Sequence, residues 1–183
     1  MPVTLIIIGV VVLLLIYVGS TYNKLVVLRN RAKDQWAQVD VQLKRRFDLI
    51  PNLVETVKGY AKHENSTLKE VIEARNKFQS ANTPEEEMEA SGELSKALSR
   101  LMVLTESYPE LKANENFLSL QGDLKDCEEK IAYARQFYND SVLNYVNKIQ
   151  MFPSNIIASM FGFKEMKYFE ITEGEKEAPK VSF

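Results

Sequence analysis

VTLIIIGVVVLLLIYVGSTYNKLVVLRNRAKDQWAQVDVQLKRRFDLI, residues 3–50, contains no proline and changes character once, at Lys24, the first charged side chain of the chain. Thirteen of the residues from Val3 to Val18 are Ile, Leu or Val. At about −0.3 to −0.6 kcal/mol each on an insertion scale, they favour a bilayer by about 4 to 8 kcal/mol, and no charge opposes them. That apolar run rises only about 24 Å as a helix, so a ~30 Å hydrocarbon core also recruits Met1, Pro2 and Gly19-Ser20-Thr21-Tyr22. Tyr17 and Tyr22 then suit the headgroup level. Leu5, Ile6, Ile7, Ile8, Val10, Val11, Val12, Leu13, Leu14, Leu15 and Ile16 are the residues expected to face lipid. A cleaved signal peptide carries basic residues ahead of its apolar core, whereas none precedes Val3, which predicts a retained anchor. Lys24, Arg29, Arg31 and Lys33 follow the span against one acid, Asp34, and that excess marks the cytoplasmic side. The expected topology is a single pass with the N-terminus out.

Beyond the anchor the chain reads as long helices. Tyr22, Leu25, Ala32, Trp36, Val39, Leu43 and Phe47 fall three, four or seven apart, one helical stripe running straight on from the span as a rod of about 70 Å. Asp48-Leu49-Ile50-Pro51 is expected to end that helix, because the residue before proline avoids the α region and proline suits a first turn. A second helix is predicted over about 50–81 on the phase of Ile50, Val54, Val57, Ala61, Leu68, Val71 and Phe78, with a break at 63–66 as its alternative. Thr83-Pro84-Glu85-Glu86 is the strongest start signal in the chain, opening a third helix that buries Leu94, Leu98, Leu101, Met102 and Thr105. In the fourth, Phe117, Leu124, Ile131, Tyr138, Tyr145 and Phe152 recur every seven residues, with Leu120, Cys127 and Ala134 in the alternate seam.

The fold class this implies is all-α: a transmembrane helix continuous with an antiparallel four-helix bundle, then a short helix and an extended tail. The expected domains are residues 1–21 as anchor, 22–152 as bundle and 153–183 as short apolar helix and tail. Alternating helix directions bring the chain after the fourth helix back towards the bilayer. There Phe152 to Phe163 form an apolar, aromatic segment too short to span. It either lies at the interface, through Ile156, Ile157, Met160, Phe161 and Phe163, or caps the bundle core. The ending Pro179 to Phe183 is expected to be extended and able to dock.

Composition narrows the function. With 23 basic against 25 acidic residues, nucleic acid has no electrostatic reason to bind. Cys127, the single cysteine, makes no internal disulfide and sits in a core seam, where thiols behave as small hydrophobes. His63, the single histidine, has no second histidine four residues on to build a helical zinc site. Seven glycines include no phosphate-cradling pattern. No catalytic, cofactor or metal residue is therefore expected. The candidate partner-docking site is the first helical corner, where Arg45, Arg46, Asp48, Asn52 and Glu55 crowd together; the bland reading of that cluster is a corner salt bridge. Glu64 and Arg75 lie on the apolar phase of the second helix, so they either pair around a polar cleft or snorkel at the edge.

From Asp40 to Ala61, DVQLKRRFDLIPNLVETVKGYA, the chain resembles the bacterial LemA family. The likeness extends through Tyr22-Asn23-Lys24-Leu25-Val26, Leu28-Arg29-Asn30, Tyr108 to Asn114, Tyr138-Asn139, Phe161-Gly162-Phe163, Tyr168-Phe169 and Pro179 to Phe183. The resemblance implies an N-terminally anchored helical-bundle membrane protein of bacteria and carries over no catalytic residues; together with the charges after the span, the expected location is the bacterial inner (cytoplasmic) membrane. The resemblance also connects to magnetosome membrane formation and to genes beside a membrane zinc metalloprotease. The expectation is a non-enzymatic scaffold or adaptor at the cytoplasmic face, serving membrane organisation or a membrane protease. An enzyme with an unrecognised polar site and a membrane-stress signalling component are the alternatives. Lipid bilayer, other membrane-associated proteins and a second copy of the chain are the expected partners.

Overall fold

The computed structural model describes residues 2–61 and 64–170; His63 and the Pro179–Phe183 ending lie outside them. Every regular element among these residues is a helix: α1 (Pro2–Tyr60), α2 (Asn65–Ser80), α3 (Pro84–Thr105), α4 (Pro109–Lys112), α5 (Glu115–Gln150) and α6 (Ser154–Met160). The chain then continues without regular structure through Glu170.

One expected boundary moves. Pro51 does not end the first helix but lies inside α1, which runs on to Tyr60. An internal proline costs about 3 kcal/mol. Ile50, Leu53 and Val57, on both sides of it, are fully buried, and each such side chain contributes about 1.5 to 3 kcal/mol. Burial of the stripe thus outweighs the local penalty. Pro51 itself is on the exposed face, where water can reach the carbonyl left without an amide partner. The break falls instead between Tyr60 and Asn65, so the helix expected over 50–81 is divided there. Gly59, a poor helix former, precedes the break.

Two compact units divide the described residues. One combines α1 up to Ala37 with Gln136–Tyr168. Its interior is built from Leu25 and Ala32 of α1, Tyr138, Val142, Tyr145 and Ile149 of α5, and Ile157 and Ala158 of α6. Trp36 meets Tyr138 edge to face at 5.3 Å. The seven-residue recurrence of α5 holds from Phe117 through Tyr145 but not at Phe152, which lies beyond the helix and is 80% exposed.

The tyrosines of that seam also work as hydrogen-bond donors. Tyr138 Oη donates to the Lys167 carbonyl and Tyr145 Oη to the Lys164 carbonyl, each at 2.8 Å. Two turns of helix rise about 10.5 Å and three extended residues span about 10 Å, so the two bonds stay in register along α5. Burial pushes the Tyr145 hydroxyl above its ordinary pKa, opposed by nearby Arg29. Gly162 closes α6 at φ +68°, with Phe163 N–H donating to the Ala158 carbonyl at 2.9 Å and Gly162 N–H to that of Ser159 at 3.2 Å. This is a Schellman cap, which turns the chain back towards α5.

The other unit comprises Gln38–Arg135 together with Phe169 and Glu170. Its core joins Ile50, Leu53 and Val57 of α1 to Leu68 and Val71 of α2, Leu94, Leu98 and Leu101 of α3, Leu111 of α4, and Phe117 and Leu124 of α5. Thr83 caps α3 as its sequence predicts, Oγ1 accepting from Glu86 N–H at 3.2 Å. Glu86 reaches back to Asn82 N–H at 2.7 Å, one residue beyond the usual capping-box partner, the N–H of Thr83. Met102, expected in the core, is only half-buried.

Candidate functional site

The side chains expected to face lipid lie in the first part of α1. In α1 the residues from Leu5 to Ile16 other than glycine are 48 to 70% exposed, on every side of the helix. A helix apolar all round and unburied within its own protein is suited to lipid rather than to a core. It is the one helix among those described that is long and apolar enough to cross a membrane.

Just past that stretch, Tyr22 packs edge to face on Phe161 at 4.9 Å and on Phe163 at 5.6 Å. The Arg29 guanidinium lies 5.1 Å from the centre of the Phe163 ring. The end of α6 is therefore held against α1 next to the apolar run. The five residues expected at an interface divide into two sets. Ile157 is buried and Phe163 is half-buried on Tyr22 and Arg29, whereas Ile156, Met160 and Phe161 are more than half exposed. Met151 and Phe152, ahead of α6, are exposed with them. One short helix thus presents a buried face, through Ile157 and Ala158, and an exposed one, through Ile156 and Met160. Its inner face completes the core, while its outer face leaves large apolar side chains uncovered.

The residues of the expected corner are not brought together. Because α1 continues through Pro51, there is no corner. Asp48, Asn52 and Glu55 are exposed along the helix, and Glu55 is 3.8 Å from Lys58. Arg45 pairs with Asp126 at 3.1 Å. Arg46 turns inward and is 1% exposed. It is the interior member of the series Leu25, Ala32, Val39, Arg46, Leu53, seven residues apart. One of its terminal nitrogens donates to Ser95 Oγ and to Glu128 Oε1, both at 2.9 Å. The other donates to Ser91 Oγ at 2.7 Å and to the Ser91 carbonyl at 3.2 Å. These bonds tie α1 to α3 and α5 through one side chain. The charge run Lys44-Arg45-Arg46 masked this role, although Arg46 lies three residues after Leu43 and four before Ile50, on the buried phase. The adjoining polar pocket is about 50 Å³, far below the ~300 Å³ at which small-molecule sites begin.

Other polar groups also sit at edges. Glu64 accepts from Tyr108 Oη at 3.1 Å, and Arg75 stacks 4.0 Å over the Phe47 ring. Each is held separately at the rim of the core, not around a shared cleft. Cys127 is buried and its thiol donates to the Gln42 carbonyl at 3.2 Å; burial raises its pKa, so the reactive thiolate is disfavoured. Among the described residues no three His, Cys, Asp or Glu side chains converge as a metal site would require.

Glu87 is the strained acid. Burial, then the Asp40 carboxylate, push its pKa up, and Lys44 offsets this in part. A carboxylate whose folded pKa lies above its unfolded one loses stability as pH rises between the two values. Glu87→Gln is expected to raise the thermal midpoint at pH 7, with the gain vanishing below the ordinary carboxylate range. Melting curves of both proteins from pH 3 to 8 check this.

Sequence comparison relates the chain to named proteins of other bacteria. A 27% identical relative, over 174 residues, is magnetosome protein MamQ of Magnetospirillum gryphiswaldense, covering 81% of this chain and 64% of that one. Magnetosome protein MamQ 2 of Paramagnetospirillum magneticum is 25% identical with the same coverage. The chain thus spans about 64% of the length of these relatives. Protein LemA of Metamycoplasma hominis is 24% identical over 162 residues, covering 88% of this chain and 74% of that one. The sequence model of the LemA family matches residues 35–183, most of the chain, and the protein belongs to the LemA family.

Proposed function

We propose that this protein is a non-catalytic, membrane-anchored helical adaptor whose body lies at the cytoplasmic face of the bacterial inner membrane. The observation that carries the reading is the joining of two apolar surfaces in one unit. The unburied run of α1 and the exposed Met151, Phe152, Ile156, Met160 and Phe161 are linked through Tyr22. A bilayer holding the first also receives the second at its interface. Lys24, Arg29, Arg31 and Lys33 favour the cytoplasmic side for the body. Membrane organisation or support of a membrane protease are the tasks such a body serves, and similarity to proteins named magnetosome proteins supports the first.

Liposome flotation tests the interfacial contact. A chain lacking residues 2–21 is expected to keep weak binding to vesicles, and adding Phe152→Glu, Ile156→Glu and Met160→Glu reduces it at least tenfold, since each apolar side chain withdrawn from lipid forfeits on the order of 1 kcal/mol. No residual binding before those substitutions removes the interfacial contact from the account.

A further inference from the structure

A broad apolar groove lies between α3 and α5, bounded by Ser95 to Met102 on one side and Leu118 to Glu128 on the other, with a volume of about 970 Å³. Its length along α5, about 16 Å, is three turns of helix. Leu98, Met102, Leu118 and Leu124 supply its apolar lining, and Leu118 is 51% exposed. The charges on its banks are unequal. Arg100 is committed to Glu70 at 2.8 Å and Glu128 to Arg46 at 2.9 Å. Lys96 on α3 and Lys125 on α5 line its two banks, and neither has an ion-pair partner among the described residues. Gly122 lies on the lining, and a Cβ placed there meets no atom within 4 Å.

We propose that this groove receives an amphipathic helix of another protein, one with an apolar stripe at i, i+3, i+4 and i+7 and carboxylates on both flanks. The apolar trough accepts the stripe and the two uncommitted lysines accept the flanks, the helix-in-groove mode with charges selecting the partner. A second copy offering the same groove would set Lys96 and Lys125 against their own counterparts, which disfavours self-pairing through this face. The inference rests on the adaptor reading by giving it a docking face, but its test involves no membrane.

The test uses the full chain in neutral detergent and two synthetic 18-residue peptides with one leucine stripe, flanked by Glu or by Lys. Binding is read by fluorescence anisotropy. The Glu peptide binds saturably, at least tenfold tighter than the Lys peptide. Lys96→Glu with Lys125→Glu reverses that order. Gly122→Trp fills the groove, keeps the melting midpoint and lowers Glu-peptide affinity at least tenfold. Equal binding of the two peptides overturns the proposal, as does binding unaffected by Gly122→Trp, or no Glu-peptide binding up to 1 mM. Saturable dodecanoate binding that Gly122→Trp abolishes, with no Glu-peptide binding, assigns the groove to an anionic amphiphile and equally overturns the proposal. A vesicle-binding failure with peptide binding intact falls on the membrane reading alone.

Discussion

Glu128→Ala is expected to destabilise the unit built from Gln38–Arg135 by about 3 to 5 kcal/mol. The reason is an asymmetry of burial within one ion pair: the Arg46 side chain is 1% exposed and that of Glu128 is 41% exposed. Removing the carboxylate strands a guanidinium in the interior, where Ser91 and Ser95 supply dipoles but no countercharge. Removing the guanidinium instead leaves Glu128 free to turn towards water. Arg46→Met, which keeps most of the buried volume, therefore costs less than Glu128→Ala. Combining the two restores part of the loss, since well-packed apolar groups in place of a buried pair are often neutral. Urea unfolding of the four proteins, analysed as a double-mutant cycle, checks the order. Equal losses for the two single variants would mean that Arg46 is not sealed from solvent.

The second large effect concerns the span. Val11→Arg with Leu14→Arg places two charges near the middle of the apolar run, at about 2.5 to 3.5 kcal/mol each. Together they offset most or all of the favourable 4 to 8 kcal/mol of the run. The double variant is expected in the soluble fraction or in aggregates after carbonate extraction, while the parent stays in the membrane pellet. Val27→Arg is the control, because Val27 is 63% exposed but lies beyond Lys24. It is expected to leave membrane association unchanged. Flotation of the double variant with the membranes on a sucrose gradient after carbonate would show that α1 is not the anchor.

Helix content and most of the core were legible because apolar spacing dominates the chain. The α3 start at Thr83 and the seam from Phe117 to Tyr145 lie where spacing and capping rules put them. Pro51 lies inside α1 against expectation because the rule for the residue before proline is local, whereas burial of Ile50, Leu53 and Val57 is a tertiary gain that overrides it. Arg46 was hidden by its charged neighbours, although the same spacing rule marks it as interior. At α6 every residue from Ile156 to Phe163 except Ser159 is apolar or small, so pattern alone could not divide inner Ile157 from outer Ile156. Tyr138 and Tyr145 read as core residues, and only the return of the chain past α6 showed where their hydroxyls go. The groove between α3 and α5 left no sequence trace, since it depends on how far apart two helices settle.

Protease accessibility of the full chain in a bacterial host tests the central claim most directly. In intact spheroplasts, added proteinase K is expected to leave the folded body whole, and in inside-out vesicles from the same cells to digest it. Digestion in intact spheroplasts, with a cytosolic marker protected, would contradict placement of the body at the cytoplasmic face.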